Sequence, residues 1–241
     1  MERLKMSFRL RSTTDGRAES KPYFTIIHII LSLINHTHML FSTAYFPPLA
    51  YFAHIAHTKT VCLEAHEHYI KQSYRNRCTI YSANGLLDLI VPVEKPQGSK
   101  TPIRDVRISY AETWVKQHKH ALVSAYQSSP FFEYYADACF AVLDARKPFL
   151  WDLNESLLHT LCKLIGLSPT ITASETFTPL NSVAHDWRYA LSPKQPVKLP
   201  QIGYSQVFDE KFGFQSNVSI FDTICNLGPE TKGYLSELNC L

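Results

Sequence analysis

The sequence predicts an α/β fold: a βαβ-containing mixed sheet with a helical second half, in a single globular domain. Three observations carry that expectation. An apolar segment, a helix-spaced segment and a second apolar segment follow one another between Met39 and Leu63. An Asn-Gly pair sits between two apolar runs at Asn84-Gly85. Long amphipathic stripes then dominate the second half.

Met39 to Tyr45 is a short apolar strand candidate, ended by Pro47-Pro48 because proline cannot continue a ladder. Apolar or aromatic residues at 49, 52, 53 and 56 give Leu49 to His57 helical spacing. Thr60 to Leu63 is β-rich. Strand, helix and strand within about 25 residues make a βαβ unit, whose two parallel strands open their C-terminal ends onto one crevice. Arg77 to Tyr81 and Leu86 to Val93 form a hairpin around Asn84-Gly85. The apolar set of Ile103 to Ile108 falls on both faces of a strand, so its orientation stays open.

Trp114, His118, Ala121, Leu122 and Ala125 lie along one stripe of a helix over 111–126. Pro130 starts another, to about Leu143. Asp152-Leu-Asn-Glu155 reads as a capping box and Gly166 as the stop of that helix. Ile171 to Ala173 and Tyr204 to Phe208 are strand candidates separated by an irregular, proline-bearing span. A last helix runs from about Ser219 to Leu227 and stops at Gly228-Pro229, with Asn217 or Ser219 as its cap.

Residues 1–38 read differently. Six basic side chains precede an apolar run, Tyr23 to Ile34, that is too short to span a bilayer. The segment is an extension, disordered or upstream of a true start at Met39; a signal or anchor and a genuine added element are the other readings. Residues 39–241 then form the domain. That domain holds 18 basic and 18 acidic residues, so it is neutral. A non-specific nucleic-acid binder carries excess positive charge, so nucleic acid is excluded as the expected partner, and stable membrane insertion is not expected either. Six cysteines lie in mostly apolar contexts with no CxxC or CxxH pair; free thiols in a reducing, cytoplasmic compartment account for them.

The densest polar segment runs from Glu64 to Arg77, directly after the second strand of the βαβ unit, where an open α/β sheet places ligands. Lys71, Arg75 and Arg77, with Asn76, suit a phosphate or carboxylate through forked hydrogen bonds. Tyr45, Tyr51 and Tyr69 suit the walls of a cleft, since each has an apolar ring and a polar tip. His68 and His118 are the candidate proton carriers. Glu64, His66 and His68 share one side of an extended strand and are chemically adequate for zinc. No second cluster supplies further ligands, so no metal and no cofactor is expected. The chain lacks a GxSxG elbow, a P-loop, an HExxH and a GxGxxG loop.

Taken in order, these segments resemble the WbqC-like protein family. The match begins with Tyr45-x-Pro47-Pro48-x-x-Tyr51-Phe52 and the strand ending at Glu64. It continues with His68-Tyr69-x-Lys71-x-x-Tyr74-Arg75-Asn76-Arg77, Leu89-x-Val91-Pro92-Val93, and Trp114-x-x-x-His118 followed by Tyr126 and Pro130-Phe131-Phe132. Asn217-x-Ser219-Ile220-x-Asp222 and Asn226-x-Gly228-Pro229-Glu230 complete it. The chain departs in two places. Thr43-Ala44-Tyr45 stands for a His-Gln-Pro opening, and His185-Asp186-Trp187-Arg188-Tyr189 occupies the span of a glycine-rich segment. The resemblance implies a role in surface-polysaccharide (O-antigen-like) biosynthesis. The function expected on that basis is a transferase acting on a nucleotide-sugar or another activated sugar or acyl donor. A non-catalytic binding or assembly protein of the same pathway is the alternative.

Overall fold

A computed structural model of the chain describes residues 38–94, 100–195, 197, 199–200 and 202–238. The reading made of the N-terminal extension falls on residues outside that set, apart from His38.

The expected βαβ unit is present. Strand β1 (His38–Phe41) leads to helix α1 (Leu49–Ala56) and strand β2 (Thr60–Leu63). Met39 pairs with Val61 and Phe41 with Leu63 in parallel register. Pro48 occupies the N-cap of α1, where its missing N–H costs nothing. With no hydroxyl at that position, Val218 O and Asn217 Oδ1 accept from the Leu49 and Ala50 amides instead. Leu49 through Ile55 are all buried, so α1 is a core helix without a wet face.

The hairpin also forms, as β3 (Arg77–Ser82) against β4 (Gly85–Ile90). Its loop is Ala83-Asn84, and Gly85, at φ +95°, makes the left-handed step beside it. Ile103 to Asp105 forms a 3-10 turn, not a strand, and Ile103, Val106 and Ile108 all reach the core. The helical half comprises α2 (Trp114–Tyr126), α3 (Phe132–Asp144) and α4 (Leu150–Ile165). Helix α4 starts two residues before Asp152, so Asp152 and Glu155 lie inside it and form no capping box. Its end is as expected. Gly166 sits at φ +78°, and Leu167 N bonds Cys162 O while Gly166 N bonds Lys163 O.

Two further strands complete the main sheet. Strand β5 (Thr170–Ala173) pairs with β2, and the two-residue β6 (His185–Asp186) pairs with β1. The four-stranded sheet has order β5-β2-β1-β6, all parallel. Tyr204 to Phe208 is not a strand: Tyr204 Oη and Gln206 Nε2 donate to Asp222, and no ladder forms there. Helices α5 (Asp209–Phe212), α6 (Ile220–Leu227) and α7 (Thr231–Glu237) follow. Ser219 caps α6 through the Phe221 amide, whereas Asn217 caps α1. No described helix is long and apolar enough to cross a membrane. The five described cysteines are unpaired thiols.

One glycine is fixed by contact as well as by conformation. Gly228 ends α6 at φ +54°, and a Cβ there would lie 2.5 Å from the Phe131 ring. Gly228→Ala is expected to cost about 2–4 kcal/mol in a denaturant melt, from backbone strain plus overpacking. Gly233→Ala, inside α7 with open space around it, is expected to gain about 0.5–1 kcal/mol in the same assay.

Candidate functional site

The four parallel strands end at one edge, and each delivers a polar residue there. Ser42 follows β1 and Glu64 follows β2, whose amide bonds Phe41 O. Ser174 follows β5, with its amide on Leu63 O. Asp186 ends β6, and the Trp187 amide bonds Leu40 O. From β1 the chain moves to β2 and outward to β5, then returns to β6 on the other side of β1. The order therefore reverses between β1 and β6, and open α/β sheets seat ligands outside the strand ends at such a point.

Two buried arginines knit this edge together. Arg188 grips Asp186 with both ends of its fork, Nε to Oδ1 at 2.9 Å and Nη2 to Oδ2 at 2.6 Å. Its Nη1 donates to Glu64 at 3.1 Å and to Thr178 O at 2.8 Å. Arg75 donates from Nε to Glu67 at 2.8 Å, and its Nη2 reaches both the second Glu67 oxygen and Ser42 Oγ. Ser42 Oγ in turn donates to Glu67 at 3.0 Å. From α4, Asn154 Nδ2 donates to Arg75 O and Thr43 Oγ1. Three carboxylates thus face two guanidiniums, a surplus of one negative charge.

The two glutamates respond in opposite ways. Burial pushes the Glu67 carboxyl above the usual range, although Arg75 and Ser42 pull it back. Burial would raise Glu64 as well, but bonds from Ser174 and the His66 and Thr178 amides outweigh it, and its pKa is lowered. At Arg188, burial opposes the charge, yet Asp186 and Glu64 prevail and hold it as a guanidinium.

Beside the network, between β1 and β6, lies a recess lined by Ser42, Thr43, Tyr51, Tyr74, Arg75 and Trp187. Its free volume is about 10 Å³, the room of about one water. Nη1 of Arg75 makes no hydrogen bond among the described residues, and Trp187 Nε1 is buried without a partner. Both side chains line the recess, which suits an acceptor oxygen.

Of the residues singled out in the sequence, Arg75 and Tyr51 reach this place; Tyr51 Oη donates to Ser42 O. Asn76 is buried nearby in sequence but donates to Val91 O. Arg77 turns to the hairpin and pairs with Asp88 at 3.1 Å. Lys71 and His68 are exposed, and Tyr69 is half-buried with its amide on Thr101 O. Tyr45 and His118 meet, but in the core: Tyr45 Oη and His118 Nδ1 lie 2.9 Å apart, with Trp114 against both rings. Among the described residues no group of three or more metal-binding side chains assembles.

Burial lowers His118 to about 4, against the pull of the Ile90 backbone. The unfolded chain would take up this proton near pH 6.5 and the folded chain only near pH 4. Stability is expected to fall as pH drops between those values, by up to about 3 kcal/mol, and to fall no further on this account below them. His54, stacked 3.6 Å above Trp187 and also pushed down to about 4 by burial, adds to the slope. Denaturant melts across that range are expected to give a flatter profile for His118→Gln.

The residues that sequence reasoning missed are Ser42, Asn154, Asp186, Trp187 and Arg188. Asp186-Trp187-Arg188 did stand out as an unusual string, but nothing in it specified a two-residue strand beside β1.

Comparison with known proteins agrees with the motifs quoted above between Tyr45 and Phe132; those at 217–230 lie beyond the matched span. The model of the WbqC-like protein family matches residues 43–198. The uncharacterized protein Rv1507c of Mycobacterium tuberculosis is 27% identical over 217 residues, covering 79% of this chain and 94% of that protein. No solved structure matches.

Proposed function

The chain belongs to the WbqC-like protein family, and from that premise we propose that it is a cytoplasmic transferase. Its substrate is a small molecule, an activated, phosphate-bearing sugar or acyl donor of surface-polysaccharide biosynthesis, bound over the strand-end edge with one oxygen directed at the recess where β1 and β6 part. The observation that carries this reading is the Ser42 hydroxyl, held between Glu67 and Arg75 at the strand-order reversal. A hydroxyl bonded to a carboxylate of raised pKa is a nucleophile-and-base or proton-relay arrangement. Arg75 Nη1 and Trp187 Nε1 supply donors for an oxygen of the reacting group. Proton handling thus falls to Ser42, which lines the recess, and to Glu67 behind it, in place of exposed His68 and core-buried His118.

A thermal-shift screen of nucleotide-sugars and acyl donors tests this. A true ligand at a hundredfold excess over Kd adds about 2.7 kcal/mol of stability. The shift should vanish in Glu67→Gln/Arg75→Met, which removes both charges together and so spares the fold. No shift with any donor, or equal shifts in both proteins, refutes the assignment. The reading as a binding or assembly protein draws on a different observation: Leu86, Leu87 and Ile90 of β4 are exposed on the hairpin.

A further inference from the structure

Phe177 lies in the loop after β5 and Tyr189 three residues beyond the end of β6, so both belong to the edge where the parallel strands end. The guanidinium carbon of Arg188 lies over the Phe177 ring at 5.5 Å and over the Tyr189 ring at 5.6 Å. The two ring centres are therefore within about 11 Å of each other. Arg188 is wholly covered, yet Phe177 remains 48% exposed and Tyr189 41%. Each ring gives a face to the buried cation and keeps much of the rest of its surface open to solvent. Leu180, on the same loop as Phe177, is exposed as well.

A single exposed aromatic is ordinary. This pair differs in two respects. Both rings rest on one cation, which is itself clamped by Asp186 and Glu64, so their positions are set before any ligand arrives. Tyr189 also lies within the 187–191 segment that lines the recess, and Phe177 packs on Arg188 of that segment. Flat exposed rings suit either a nucleobase or the C–H face of a sugar. Local charge discriminates between these. Three carboxylates stand against two guanidiniums, and Asp186 retains some exposure, 14% of its side chain. That balance opposes a phosphate beside the rings and favours hydroxyl donors.

We propose that Phe177 and Tyr189 form a stacking platform for a neutral pyranose ring whose rim hydroxyls donate to Asp186. This rests on the substrate edge assigned above and names the part of the substrate that binds outside the recess.

Saturation-transfer difference NMR on the full chain tests the proposal. The probes are the methyl glycosides of α-glucopyranose, α-mannopyranose and β-galactopyranose, with adenosine as contrast. At least one glycoside is expected to receive saturation at its ring protons. Phe177→Leu and Tyr189→Leu, which keep an apolar cover over Arg188 without a flat ring, should reduce that transfer at least fivefold. Tyr189→Phe should restore it, and Tyr134→Ala, a 77% exposed aromatic on α3, should leave it unchanged. No transfer from any glycoside, transfer indifferent to both leucine variants, or stronger transfer to adenosine would each overturn the platform. Because the probes carry no phosphate or acyl group, glycoside binding without any donor-induced thermal shift upholds the platform and refutes the donor reading. The reverse result does the opposite.

Discussion

Arg188→Met is expected to destabilise the protein by about 3–5 kcal/mol, among the largest effects of any single substitution in the chain. The reason is what the arginine leaves behind. Glu64 and Asp186 both depend on its guanidinium, and Arg188 and Glu64 are fully buried. Methionine fills much of the volume but supplies no donor, so two carboxylates lose their counter-charge at once. Glu64, whose pKa is lowered in the wild type, then gains a proton more readily in the folded state than before. The deficit relative to wild type should therefore be full at pH 7 and shrink as pH falls below about 5. Glu64→Gln/Asp186→Asn/Arg188→Met should recover most of the loss, because the stranded charges are gone while their hydrogen-bonding shapes remain. Urea melts of the single and triple variants at pH 7 and pH 4.5 read all of these. A deficit independent of pH would mean that lost packing, not stranded charge, is the cause.

Arg75→Met carries the second large effect, about 3 kcal/mol or more, by isolating Glu67 beside Ser42. Here a double-mutant cycle separates pair energy from burial cost. Glu67→Gln alone leaves Arg75 without its anion and should also destabilise. Glu67→Gln/Arg75→Met should lie within about 1 kcal/mol of wild type or above it, since replacing a whole buried pair is often neutral or favourable. If the double variant were as unstable as the sum of the singles, the two residues would not be acting as a pair. A pair without net contribution to stability, at the edge proposed above to bind substrate, is what a functional role would require.

Much of the scaffold was legible because it depends on local chemistry. Pro47-Pro48 between an apolar strand and a helix-spaced run marked the β1–α1 junction, and Thr60 to Leu63 matched β2. Gly166 and Gly228 marked helix ends through the left-handed φ that glycine adopts freely. Where the reading failed, side chains had partners far away in sequence. Tyr204 to Phe208 looks like a strand by composition, yet Asp222 takes its polar tips. Asp152 and Glu155 have the spacing of a capping box, but α4 begins earlier, at Leu150. Strand β6 is two residues long and offers no period at all; it exists because β1 presents a free edge to it.

The site divides along the same line. By itself the sequence determined the family, the βαβ unit and the hairpin, all consequences of motif order, apolar spacing and turn chemistry. Only the tertiary structure decided where the clustered polar residues turn. Arg75 turns inward to Glu67, Arg77 outward to Asp88, and Tyr45 and His118 disappear into the core. Arg188, distant in the chain, becomes the second cation of the site through its bonds to Glu64 and Asp186. A buried charge goes where its counter-charge is, and no spacing rule along one chain records that partner's position.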